Sequence, residues 1–208
     1  MKLAPRTALV ALAAATLAAC TSAYTGPVEV TRFVAERPAA LGQGAITIEL
    51  PGEEELSNRN AREAFADAVA LELESLGYDV VMDAGPGVQI ATIRTSRNEI
   101  AGASSRRGPV SVGVGGGTGG YRSGVGVGLG INLGGGQSGP NVVTELSVRI
   151  IGANGESLWE GRAEQPVSVK SPYADVDASA RTLAAALFRN FPGGNGETVT
   201  IDVDDLSD

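Results

Sequence analysis

Residues 144–163 read TELSVRIIGANGESLWEGRA, and their pattern decides the fold. Asn154-Gly155 is the strongest short hairpin signal a sequence can carry, because both positions of a type I′ turn need positive φ. A two-residue turn there pairs Ala153 with Glu156. Counting outward sets Ile150 opposite Trp159, Val148 opposite Gly161 and Leu146 opposite Ala163. The other face sets Arg149 opposite Glu160 and Ser147 opposite Arg162. One face is apolar, and the other carries an opposite-charge pair worth about 0.2–1 kcal/mol. Turn chemistry and face alternation therefore define the same register. Trp159, tempting as a functional residue, falls on the apolar face and reads as a core anchor.

Outward from this hairpin the chain continues in the same style. Val28–Val34 alternates as a strand, as does Ala45–Leu50 before Pro51-Gly52 breaks it. Asn60 with Glu63 forms a capping-box variant. Phe65, Val69, Leu73 and Leu76 then mark one helical face, and Gly77 is the residue after the helix. Glu63, Asp67 and Glu74 read as its solvated side. Tyr78–Met82 and Val88–Thr95 are the next strands. Ser171-Pro172 opens a second helix with Pro172 near its first position. Val176, Ala180, Leu183, Ala184 and Leu187 form its buried side, and Pro192-Gly193-Gly194 ends it. Residues 193–208 form an acidic tail with room for a short strand at Thr198–Val203. The expected fold is α+β: a mainly antiparallel sheet with two helices packed on it, in one domain over 28–192.

Residues 102–139 differ in kind, holding 16 of the 29 glycines. Val110, Val112 and Val114 alternate with Ser111 and Gly113. Val125, Val127, Leu129, Ile131 and Leu133 alternate with Gly126, Gly128, Gly130, Asn132 and Gly134. Period two predicts a glycine-rich β-hairpin with one apolar face and one nearly bare, tipped by Gly115–Gly120. Bare strands are entropically costly and weak in register, so a contact surface is the expected return. Glycine lets another backbone approach closely. Arg106, Arg107, Tyr121, Arg122, Gly126, Gly128 and Gly130 are the candidate contact residues. Arg94, Arg97, Arg106, Arg107 and Arg122 cluster in a segment whose only acid is Glu99. They either keep a glycine-rich edge soluble or meet an anionic lipid or an acidic partner.

The amino terminus carries an address. A short positive start, an apolar run over Thr7–Leu17 and then Leu17-Ala18-Ala19-Cys20 have the layout of a secretory signal ending in a lipobox. Cleavage before Cys20 removes residues 1–19 and leaves a lipidated tether over 20–27. The mature chain of 189 residues then has 14 basic and 24 acidic side chains, a net charge of −10. That excludes a general attraction to nucleic acid. Several acyl chains on Cys20 anchor stably where one would not, and Thr21 is not the aspartate that retains lipoproteins in the inner membrane. The expected site is the outer membrane of a Gram-negative envelope, facing the periplasm.

What the chain lacks narrows its chemistry. It has no histidine and one cysteine, which removes Ser-His-Asp and Cys-His catalysis and most transition-metal sites. Glu53-Glu54-Glu55 reads as a solvated charge run. Gly115-x-Gly117-x-x-Gly120 matches the dinucleotide fingerprint literally, but no helix follows it and no acid lies between Ile100 and Thr144. Asp202, Asp204 and Asp205 lack the glycine and terminal glutamate of a calcium loop. No catalytic residue, metal or cofactor is expected.

Three landmarks together carry a family likeness. They are Pro109–Gly119 with Ser123–Gly128, Thr144–Arg149 leading to Leu158–Ala163, and Ala186-Leu187-Phe188 to Phe191-Pro192-Gly193. With the lipobox they resemble the bacterial lipoprotein family known as domain of unknown function 4136, over roughly residues 28–200. The Val30-Thr31-Arg32-Phe33 start is similar to the branch common in alphaproteobacteria. The resemblance implies an α+β envelope lipoprotein with no assigned activity. The expected function is a non-enzymatic interaction or assembly module whose partner is another envelope protein or anionic lipid. The alternative is a carrier of small amphiphiles with an apolar pocket between helices and sheet.

Overall fold

The computed structural model describes residues 23–36, 41–51, 59–100 and 141–206. Among them are strands β1 (Val28–Val34), β2 (Gly44–Glu49), β3 (Tyr78–Val80), β4 (Gln89–Ile100), β5 (Asn141–Ile151), β6 (Ser157–Ser168) and β7 (Glu197–Ile201), and helices α1 (Arg59–Ser75) and α2 (Val176–Phe188). The strands form one sheet in the order β3-β2-β4-β5-β6-β1-β7. The pairs β4–β5, β5–β6, β6–β1 and β1–β7 are antiparallel, while β2 runs parallel to both β3 and β4. The fold is α+β with a mostly antiparallel sheet and two helices, as expected. The parallel corner arises because α1 is the crossover between β2 and β3.

Alternation along the strands sorts residues by face. Val28, Val30, Leu146, Val148, Ile150 and Ala163 are buried under the helices with Ile46, Ala91 and Ile93. They meet Phe65, Val69 and Leu73 from α1 and Leu183, Ala184 and Leu187 from α2 in one apolar cluster. The opposite face bears a short charge ladder: Arg149 with Glu160 at 3.0 Å, and Arg162 with Glu145 at 2.7 Å and Glu164 at 3.1 Å.

The central hairpin has the expected register, with Ile150 opposite Trp159, Arg149 opposite Glu160 and Val148 opposite Gly161. Its turn is different. Asn154 does not adopt positive φ, whereas Gly155 does at 84°. Gly155 N donates to Gly152 O at 2.8 Å, and Gly152 N donates to Glu156 O at 2.8 Å. The loop is thus the three-residue kind closed by a left-handed glycine, and the pairing of Ala153 with Glu156 gives way to Gly152 with Glu156. Ile151 then faces Ser157, and the register shifts before Ile150. That shift leaves Leu158 as an extra residue on β6 and restores the register.

Three further expectations are corrected. Asn60 does not cap α1, which already begins at Arg59. Ser171-Pro172 opens a 3-10 turn over Pro172–Ala174. The N-cap of α2 is Asp175, whose carboxylate accepts from Asp177 N and Ala178 N. The short strand expected in the acidic tail is present, but at Glu197–Ile201 rather than Thr198–Val203: it pairs along β1 as β7, and Val203–Leu206 forms a 3-10 turn. The sheet therefore extends past the domain boundary at 192. Its neighbour β1 supplies pairing partners that local composition does not reveal.

Candidate functional site

Cys20, the expected lipobox residues Leu17, Ala18 and Ala19, the acidic run at 53–55 and the expected glycine-rich hairpin with Arg106, Arg107, Tyr121, Arg122, Gly126, Gly128 and Gly130 lie outside the described residues. The described residues do fix where those segments join the body. β4 and β5 pair along their whole length, closing with Ile100 opposite Asn141. Residues 101–140 therefore leave and re-enter the sheet at adjacent positions.

Asn141 is in turn opposite Ser168. Ser168 N donates to Tyr24 O at 2.8 Å, and Thr25 bridges to Val167. Ile100, Asn141, Ser168 and Tyr24 thus form one row across a single end of the sheet. Three strand spacings of about 4.8 Å separate its members, so the row spans roughly 15 Å.

The segment before β1 is clasped along β6. Gly26 N donates to Pro166 O at 2.9 Å, Gln165 Nε2 donates to Gly26 O at 3.0 Å, and the Thr25 and Ser171 hydroxyls bond at 2.7 Å. A Cβ at Gly26 would lie 2.7 Å from Pro166 O, so glycine permits the contact. Residues 24–27, expected as tether, are part of the fold. Sequence reading missed this because Tyr24-Thr25-Gly26-Pro27 has no periodicity.

The arginine cluster divides. Arg94 faces away from the helices opposite Ser147, while Arg97 reaches the other way to donate to Ala174 O. Positions three apart on a strand point to opposite faces, so these two do not share a patch.

A second feature lies at the helical layer. Arg32 occupies an inward position of β1 and is 5% exposed. Its Nε donates to Leu187 O, and its Nη2 donates to Ala186 O and Arg189 O, each at 2.9 Å. A guanidinium thus satisfies the last carbonyls of α2, where the helix dipole favours a cation. Burial pulls its pKa below the usual guanidinium range, and the Glu197 carboxylate acts in the opposite sense. The alternation of Val28, Val30 and Arg32 was the available signal, a charge at a core position. These bonds make Arg32 a helix cap.

Trp159 is 1% exposed, stacks on Phe188 with centroids 5.4 Å apart, and donates Nε1 to Pro192 O at 2.9 Å. It is the core anchor expected.

A cleft of about 250 Å³ opens between α1 and α2, lined by Ala68, Leu71, Glu72, Tyr173, Arg181 and Leu206 among others. It lies between the helices, not between helices and sheet where an amphiphile pocket was expected. Burial raises the Glu72 carboxyl above its usual range. Among the described residues no cluster of histidine, cysteine and carboxylate side chains could hold a metal ion. No helix among them is long and apolar enough to cross a membrane.

No protein-family profile and no curated protein matches the chain. Among solved structures it is similar to a PelC dodecamer from Paraburkholderia phytofirmans, at 12% identity over 76% of this chain and 93% of that one, with a TM-score of 0.36. It is also similar to a PDZ domain protein from Parabacteroides distasonis, at 14% identity over 85% of this chain and 39% of that one, with a TM-score of 0.45. Neither likeness is close enough to bear on function.

Proposed function

We propose that this protein is a lipid-anchored, non-enzymatic interaction or assembly module of the Gram-negative envelope. Cys20 carries the lipid, the body faces the periplasm from the outer membrane, and the glycine-rich segment supplies the contact surface. The observation that carries this reading is the closure of β4 on β5 through Ile100 and Asn141. β4 and β5 pair with each other up to the two residues that flank 101–140, which supports a contact role for that segment. Strand-edge or flat-face docking suits its bare backbone.

Deleting residues 110–134 tests the reading. Thermal unfolding should remain cooperative with little change in midpoint. Photo-crosslinking from positions 111, 121 and 132 of the intact chain in membranes should give discrete protein adducts. Adducts to lipid alone, or a deletion that unfolds the body, would overturn the docking role.

The alternative, a binder of small amphiphiles, has the cleft between α1 and α2 as its site. At about 250 Å³ that cleft falls below the roughly 300–1,000 Å³ of small-molecule pockets, which favours the interaction module.

A further inference from the structure

The anchor and the fold together fix which end of the body meets the membrane. Resting on the reading of Cys20 as lipidated, we propose that the end of the sheet carrying Tyr24, Asn98, Asn141, Val169 and Lys170 is apposed to the phospholipid headgroups.

The argument is one of lengths. Tyr24 is held to Ser168 by a backbone hydrogen bond, so only four residue steps separate it from Cys20. Fully extended, they reach about 14 Å. β5 has 11 residues, which makes the sheet about 35 Å long at that strand. The far end, at the Gly152–Glu156 turn, cannot be the end that stands on the bilayer, because an upright sheet would then hold Tyr24 about 35 Å away, beyond that reach. β1 and β6 are antiparallel, and Thr25 extends their pairing past Val28 to Val167. Tyr24 therefore lies at the end of β6, beside Ser168.

The surface at this end has mixed chemistry suited to an interface. Val169 is 39% exposed for an apolar side chain. Lys170 beside it is exposed, with Asn98 and Glu99 across the row. A valine and a lysine at a strand end can rest at the headgroup level, the ammonium toward phosphate. Glu99 opposes such contact, and the mature chain is acidic overall, so general electrostatic attraction does not hold the body down. The short tether does. Ile100 and Asn141, which flank residues 101–140, lie in the same row and are carried to the membrane surface with it.

The test uses the full lipidated chain reconstituted in phosphatidylethanolamine–phosphatidylglycerol vesicles that contain a nickel-chelating lipid. Cys20 is the only cysteine and is blocked by its acyl group. Single variants Val169→Cys and Ala153→Cys therefore each accept one spin label, at the near and far ends. Strong relaxation of the label at 169 with little at 153 is the expected result. Equal relaxation at both positions, on a protein whose mass shows an acylated amino terminus, would overturn the orientation and leave the anchor standing. A mature mass without acyl groups would overturn the anchor, and the orientation with it.

Discussion

The indole of Trp159 lies across the α-carbon of Gly161, two residues further along β6 on the same face. A Cβ built at Gly161 would sit 2.2 Å from Trp159 Cη2 and 2.8 Å from Leu187 Cδ1. The glycine in Trp159-Glu160-Gly161 is therefore the floor on which the ring rests. Phe188 and Phe191 complete an aromatic cluster, with centroids 5.4 and 5.2 Å from Trp159.

Gly161→Ala should destabilise the fold by about 2 kcal/mol, the cost of forcing an extra carbon into a filled core. The same change in a Trp159→Phe background should cost less, because the smaller ring does not reach over position 161. Urea unfolding of the four proteins measures that coupling. Equal costs in both backgrounds would show that Leu187 alone sets the limit.

Arg32→Met keeps the length of the stem and removes the donors. It should cost about 3 kcal/mol, the upper scale for leaving buried acceptors unsatisfied by a charged donor, because three carbonyls at the end of α2 lose their partner. Arg32→Lys should recover only part of this, since an ammonium cannot reproduce the planar fork that reaches Ala186, Leu187 and Arg189. Guanidinium chloride midpoints for the three proteins decide it.

Glu72 makes stability depend on pH in a stated direction. Its carboxyl pKa is raised in the folded state by burial beside the cleft. Folding therefore favours its protonated form. The stability tied to that form is fully present below the unfolded glutamate pKa and is lost as pH rises through the raised folded value. Glu72→Gln removes the ionisation, so the variant should match the parent in acid and exceed it at neutral pH. Melting temperatures of both proteins across pH 4 to 8 would show the gap open; parallel curves would mean that Glu72 ionises without penalty.

Much of the architecture is legible locally. The pairs Ile150 with Trp159 and Arg149 with Glu160 follow from alternation, although the turn that was to impose them has another geometry. The register survives because the extra residue at Leu158 offsets the longer loop, and burial of Ile150 and Trp159 on one face outweighs the preference of Asn154-Gly155. Ser171-Pro172 carries a helix-start signal, proline beside serine. That signal serves the 3-10 turn, and Asp175 caps the helix four residues later. Of the site, the sequence singled out the glycine-rich segment, while the row that receives its ends is a property of strand order.

The sequence by itself determined which face of each strand and helix is apolar, and hence that helices cover one side of a mainly antiparallel sheet. It did so because side-chain direction repeats every two residues in strands and every 3.6 in helices. Only the tertiary structure decided that β2 runs parallel to its neighbours, that the end of the chain pairs with β1, and that Tyr24 lies in a row with Ile100. It alone decided that Arg32 caps a helix 155 positions away. Periodicity states that a face must be buried, while the choice of neighbour depends on how all the faces fit together.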